Sequence, residues 1–443
     1  MPLAAPAVRA HAERVLRANW REGERPDPRG GPPVRYAYTC PATPRYRHQW
    51  HWDSCFHAIA WRHFDLHRAR EELRTVLRGG RRDGFLPHTV FWDRPAGWRR
   101  APLYATSGWF GGQATETIGP PLLPFAWEIV ARASEEAGEP GFGAEALGPL
   151  AAHLEWLERE RDIDGDGLLT ILVPDESGLD DSPKYDPVYG RLAHHRIGGY
   201  ALLVERCRRL GWSARDVAAR HDHHVEDVWV NVAYALSLRA MARLSGDMAW
   251  RLRAERTESA LVERCLDART GLFLDLAGPD ERRVEVSTWS ALAPVILPGI
   301  PREVRIRLVE EHLLHPERYL ATVGIPSVSM QEPSYRPGFD MWRCWRGPSW
   351  VNVAWLLLPA LHELGYGPEA TEIAARLAEA VAREGLREYY DPRTGRGLAA
   401  RGFAWSALAV DLAEGPGQRV VTASDAAPLR MAGSNGSTSE RVV

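Results

Sequence analysis

An all-α fold is what this sequence predicts, and three observations predict it. Apolar residues recur at helical spacing over most of the chain, alternation of period two is scarce, and short glycine hinges separate amphipathic segments in pairs. Long, aromatic-rich connections lie between the pairs.

The segments follow in order. Amphipathic stretches occupy residues 4–19, 53–64, 66–79, 120–137, 144–161, 192–210, 223–244, 246–266, 301–314, 348–364, 367–384 and 402–413. Gly79-Gly80 stops the third, Ser245-Gly246 hinges the pair on either side of it, and Gly365-Tyr366-Gly367-Pro368 separates two others, because glycine takes the left-handed cap position and proline suits a helix start. Such short hinges favour antiparallel neighbours. The connections at 80–119, 162–191, 267–300, 315–347 and 385–401 are too long for simple links and too aromatic for disorder. Helical hairpins alternating with long functional loops describe an (α/α)6 toroid, a six-hairpin barrel whose loops gather at one end around a pocket. Residues 1–413 read as one domain of this kind, and 414–443, rich in Gly, Ser, Ala and Pro, as a tail without the apolar content to bury a core.

Composition narrows the function. The net charge is −3 with both signs interspersed, which excludes an electrostatic case for nucleic acid or an anionic membrane as partner. Five cysteines without paired spacing argue against a disulfide framework or structural zinc. No apolar run has the length of a signal peptide or a membrane span, so a cytoplasmic protein is expected. Eighteen tryptophans are the outlier. Many stand beside polar residues, as in Gln49-Trp50-His51-Trp52-Asp53 and Pro348-Ser349-Trp350. An aromatic face with a polar rim suits sugars, which carry both kinds of surface. Oligomeric state is not legible.

Acids supply the chemistry. Glu176-Ser177-Gly178-Leu179-Asp180-Asp181-Ser182-Pro183 places three carboxylates on one short irregular loop, and crowding is the condition that keeps one of them protonated. A second acid, Glu388, leads from a helix into a Pro/Gly turn at the other end of the chain. One protonated and one ionised loop acid are what glycoside hydrolysis requires. Asp53 either caps a helix or grips sugar hydroxyls beside Trp50 and Trp52. Arg346, at another helix entrance, either binds vicinal hydroxyls or holds a neighbouring carboxylate. Asp162-Ile163-Asp164-Gly165-Asp166-Gly167 begins like a calcium loop, but Val173 stands at position 12, where a bidentate Glu is needed. It reads as a tight turn that orients the acidic loop. His221-Asp222-His223-His224 has the wrong spacing to converge on an ion. No metal and no cofactor are expected.

The ordered set QWHWD, DGFLPH (Asp83 to His88), GPPLLPFAWE, DIDGDGL, PDESGLDDSP, WRGPSWVN, EYYDPRTGRG and GFAWSAL, over about residues 10–412, resembles glycoside hydrolase family 63. The resemblance is to its compact bacterial members, which include mannosylglycerate and glucosylglycerate hydrolases. It implies an (α/α)6 barrel and an inverting attack on an α-glycoside, with Asp180 as general acid and Glu388 as general base. Glu176 and Asp181 would then supply the negative field that keeps Asp180 protonated. Trp50, Trp52, Asp53, His88, Arg346, Trp350 and Tyr389 would bind the sugar. Gly119 stands where the glycerate-glycoside hydrolases carry Gln before the Pro-Pro, so a glycerate aglycone does not follow. The expected activity is exo-acting hydrolysis of a small α-glucoside or α-mannoside. A non-catalytic carbohydrate binder and a sugar isomerase or epimerase, the latter using His51 and His88, are the alternatives.

Overall fold

Helices that are apolar all round and helices with a single apolar stripe alternate along the chain, and that alternation builds the fold. The computed structural model describes residues 4–27, 31–93, 105–106, 112–190, 199–340 and 343–415. The start of the expected helix at 192–210 and the tail beyond Gly415 lie outside these residues.

α1 (Ala4–Asn19) buries Val8, Ala12 and Leu16, an i, i+4 stripe. α2 (His51–Trp61), by contrast, is buried at every position. α3 (Leu66–Arg78), capped by the Asp65 carboxylate, again shows one face through Ala69, Leu73 and Val76. α4 (Leu123–Glu136) starts with Pro124 in its first turn and is buried over most of its length, whereas α5 (Leu147–Arg161) buries Leu150, Leu154 and Leu157. A single turn, α6 (Asp186–Tyr189), precedes α7 (Gly199–Arg209) and α8 (Ala214–Arg220). α9 (Val228–Ser245) is capped by Asp227, ends on Gly246 at φ +72°, and is buried almost throughout. α10 (Met248–Ala260) and α11 (Arg302–Leu308) each run into a π-helical turn, at Leu261–Cys265 and Val309–Leu313. α12 (Val351–Leu364) is buried, α13 (Gly367–Glu384) is amphipathic, and α14 (Ala409–Glu414) closes the described chain.

The buried elements touch one another in a circle. α2 packs on α4, α4 on α9, α9 on the 3₁₀ segment Trp289–Ile296, that segment on α12, α12 on the 3₁₀ segment Ala404–Leu408, and the last returns to α2. The striped helices pack outside: α3 on α2, α10 on α9, α11 on Trp289–Ile296, α13 on α12 and α1 on Ala404–Leu408. The fold is an α/α toroid. Its inner ring needs no polar face because helices cover it on one side and the ring's own side chains on the other.

Short strands stitch the connections. β1 (Trp20–Arg25) and β2 (Val34–Thr39) form an antiparallel hairpin that the polar sequence of β1 conceals. β3 (Gln49–Trp50) pairs with β4 (Thr89–Val90). β5 (Thr170–Ile171), β6 (Val225–Glu226), β7 (Leu276–Ala277) and β8 (Arg282–Arg283) make an antiparallel four-stranded sheet in that order. β9 (Arg387–Tyr390) pairs with β10 (Gly397–Arg401). Among the described residues no helix is long and apolar enough to cross a membrane.

Candidate active site

The acidic loop is held from below by a fully enclosed ion pair. Glu176 is fully buried, and Arg161, at the end of α5, donates to both its oxygens at 2.9 and 2.6 Å. The Ile118 and Leu172 backbone N–H groups donate to the same carboxylate at 3.1 and 2.7 Å. Arg161 thus pairs with the Glu176 carboxylate, and the residue anchors the loop. The chain then turns at Gly178, where φ is +70° and a Cβ would lie 2.6 Å from the Trp52 indole. Only glycine fits both conditions. Asp180 and Asp181 follow, half-buried, and the Cys344 thiol lies 4.0 Å from Asp181 Oδ2.

Glu388, expected on an irregular connection leading into a turn, lies on β9. A bulge in β10, with Ala399 at φ +53°, turns the Ala400 N–H onto Glu388 Oε2 at 3.0 Å. The Tyr46 hydroxyl donates to Oε1 at 3.1 Å. Burial raises the Glu388 carboxyl above its ordinary range, opposed by the Ala400 N–H, the Arg45 charge and the Tyr46 hydrogen bond. Ser349 and Tyr390 exchange backbone hydrogen bonds at 2.9 Å in both directions, pinning β9 to the entrance of α12 next to Trp350.

The charges of both acids act on Asp53. It is inside α2 and does not cap it, since Trp50 occupies the N-cap without a side-chain bond. Burial pushes its carboxyl well up, and the charges of Asp180 and Glu388 both add to the rise. The same two carboxylates act on the Cys344 thiol, which burial raises first. Asp180 and Glu388 thus lie within electrostatic reach of both Asp53 and Cys344.

Tryptophans form a connected cluster beside these segments. Trp345, held at φ +57°, stacks on Trp350 with centroids 3.8 Å apart. Trp405 meets Trp350 at 5.5 Å and Trp52 at 5.1 Å, Trp52 meets Trp229 at 6.3 Å, and Trp229 meets Trp289 at 4.8 Å. Four of these indoles, Trp229, Trp289, Trp350 and Trp405, have buried N–H groups with no partner among the described residues. A buried donor without a partner is costly and rare, so a row of four points to a polar ligand or ordered water. Trp50 stands edge-on to Tyr46 at 5.9 Å, and Tyr389 packs on Trp350 at 4.7 Å.

Two expected sugar contacts are otherwise engaged. Arg346 gives both terminal nitrogens to Asp186, at 2.8 and 2.6 Å. The His88 ring is buried against the Ile118 and Asp175 backbone, with burial depressing its pKa and Asp175 and Glu176 as the charges nearest to it in effect. It supports the back of the acidic loop.

The calcium-like turn holds itself. Asp162 accepts from the Gly165 and Gly167 N–H groups at 2.8 and 3.2 Å, and Asp166 from Leu168 at 2.8 Å. Oxygens of Asp162, Asp164 and Asp166 lie within 4.8 Å of one another, as do those of Asp164, Glu226 and Glu281. Arg264 pairs with Asp166 and Glu281, and Arg256 with Asp162, so protein cations neutralise part of the cluster.

Comparison with known proteins gives this arrangement a family. The domain family described as "Mannosylglycerate hydrolase MGH1-like glycoside hydrolase domain" matches residues 46–406. Mannosylglycerate hydrolase from Thermus thermophilus is 30% identical over 409 residues, covering 84% of this chain and 95% of that protein. The chain belongs to glycoside hydrolase family 63. Glucosylglycerate hydrolase from Mycolicibacterium hassiacum is 27% identical over 417 residues, covering 82% and 91%. The crystal structure of a family 63 mannosylglycerate hydrolase from Thermus thermophilus in complex with glucose superposes with a TM-score of 0.76 at 28% identity, over 92% of this chain and 99% of that one.

As a family 63 member this protein is a glycoside hydrolase. Sequence reasoning missed Tyr46 and Arg45, whose bearing on Glu388 spans more than three hundred residues, and Trp229, Trp289 and Trp405. Trp229 sat in an amphipathic segment, Trp289 in a connection read as a long loop and Trp405 in the GFAWSAL motif, and by residue type alone none stood apart from ordinary core. Their unpaired N–H groups, visible only in three dimensions, are what separates them from it.

Proposed function

We propose that this enzyme hydrolyses a small α-linked glycoside by inversion, with α-mannosyl- and α-glucosylglycerates as the substrate class. In this reading the ring is a complete (α/α)6 barrel of six hairpins, which the cyclic order of its six inner segments supports. The reading is supported by two observations together: the charges of Asp180 and Glu388 both act on the buried Asp53, and a cluster of buried indoles carries N–H groups without partners among the described residues.

Asp180 donates its proton to the glycosidic oxygen as the bond to the anomeric carbon breaks. Glu388, ionised, takes a proton from a water that attacks the opposite face. Inversion requires room for that water, a carboxyl separation of roughly 6.5–9.5 Å. Tyr46, the Ala400 N–H and Arg45 favour the ionised form of Glu388 that the role demands. Asp53 and the indole N–H groups bind sugar hydroxyls, while the stacked Trp345 and Trp350 present apolar surface to the ring.

Proton NMR of an incubation with α-mannosylglycerate or α-glucosylglycerate tests this directly. The β-anomer of the free sugar should appear first and mutarotate later. Asp180→Asn and Glu388→Gln should each lose at least about a hundredfold in kcat while keeping the wild-type melting temperature. Release of the α-anomer first, an altered sugar skeleton, or full activity in either variant would overturn the assignment.

A further inference from the structure

Of the 55 basic residues in this chain only one, Lys184, is lysine, and it is buried to 1% exposure. Its ammonium meets three acceptors: Asp227 Oδ2 at 2.6 Å, Asp275 Oδ2 at 3.0 Å and Ser290 Oγ at 3.1 Å. An ammonium has three N–H donors on one point, so the site is satisfied in number and shape. A guanidinium carries five donors in a plane, and this enclosed place would leave two of them unpaired.

Each partner belongs to a different part of the site. Asp227 caps α9, its Oδ1 accepting from the Val230 N–H at 3.0 Å, and stands two residues before Trp229. Asp275 accepts from the Val228 N–H at 2.8 Å, on the same helix turn. Ser290 follows Trp289 directly. Tyr185, next to the lysine, donates to Asp227 Oδ2 at 2.6 Å. The ammonium thus joins the far end of the acidic loop to the two segments that carry the Trp229–Trp289 contact. Asp180 stands midway between two buried ionic anchors, four residues after Glu176 and four before Lys184.

We propose that Lys184 is a positioning residue for the proton donor, fixing the Asp180 loop against the Trp229–Trp289 wall. Glu176 fixes the height of the loop over α5, and Lys184 fixes its lateral place relative to the bound sugar. The inference rests on Asp180 being the general acid. Lysine suits this position because three converging acceptors are met there at a single nitrogen.

A leaving-group comparison tests it. Lys184→Arg, Lys184→Met and Asp275→Asn are assayed on a glycosylglycerate, whose departing oxygen needs a proton, and on the matching α-glycosyl fluoride, whose fluoride ion leaves with far less help. A displaced acid should lower kcat on the glycosylglycerate by about tenfold to a hundredfold, with KM within about threefold. The fluoride rate should stay within about threefold of wild type. Equal losses on both substrates, or none on either, would overturn the proposal. If the lysine variants show no cooperative melting transition, Asp275→Asn, which keeps the lysine and removes one acceptor, is read by the same criterion. Asp180→Asn runs in parallel: if it too loses both substrates equally, the general-acid reading fails on its own account, whatever Lys184 does.

Discussion

Replacing Glu176 by Gln changes one atom and should cost this protein several kcal/mol. Oε1 accepts from Arg161 and Ile118, and Oε2 from Arg161 and Leu172. Every one of those four partners is a donor. An amide can accept at one oxygen only, so its NH2 would face two N–H groups and two charge-assisted bonds would be lost. At about 1.5–3 kcal/mol each the sum is about 3–6 kcal/mol, in line with the roughly 3–5 kcal/mol typical of breaking a buried ion pair. Unfolding entropy of about 2.1 cal/mol/K per residue over 443 residues gives about 0.9 kcal/mol/K. The melting temperature should therefore fall by roughly 3–6 °C in scanning calorimetry. The double variant Glu176→Leu/Arg161→Met should recover much of the loss, because it leaves no unpaired charge. An unchanged melting temperature in Glu176→Gln, or a double variant as unstable as the two single losses added together, would refute the anchor.

Two further predictions concern protons. Tyr46→Phe removes a donor that holds the Glu388 carboxyl down, so its pKa rises further and the acid limb of the kcat/KM profile should move to higher pH; a limb at the wild-type position would exclude Tyr46 from tuning the base. Glu226 is raised to about 8 by burial, with Asp166 and Asp164 adding to the rise. Its native state therefore binds a proton that the unfolded chain releases near the ordinary glutamate value. The resulting stability, of the order of 5 kcal/mol, is complete below about pH 4.5 and is lost as pH rises to about 8. Glu226→Gln should accordingly melt with a flatter pH dependence than wild type between about pH 5 and 8, in buffer containing a chelator, and parallel slopes would contradict this.

Much of the helical frame was legible because local signals agree there. α1 and α13 span the expected 4–19 and 367–384, the second bounded by Gly367-Pro368 and Gly385. The Trp289–Ile296 segment was read as part of a long loop. It is apolar throughout and contains Pro294, so it shows neither stripe nor cap, yet as an inner-ring element it needs neither. β1–β2 stayed hidden because its pairing, not its residue pattern, makes it a hairpin. At the site, acids and tryptophans announced themselves by type and neighbourhood. Their roles divided only in space: Glu176 and Arg346 carry the same charges as other site residues, but Arg161 and Asp186 had already claimed them. No local pattern foretells that Tyr46 reaches Glu388 or that Lys184 reaches Asp275.

The closed ring has a consequence for how the chain is made. α2 presents eleven buried residues, and part of their cover is Ala404–Leu408, synthesised some 340 residues later. At about 5–20 residues per second, ribosomal elongation leaves that flank uncovered for roughly 20–70 s. Contacts so distant in sequence also fold slowly once available. The nascent protein therefore spends its synthesis as an open crescent with a greasy inner rim, the interval in which chaperones have most to do and in which misassembly between neighbouring chains is decided.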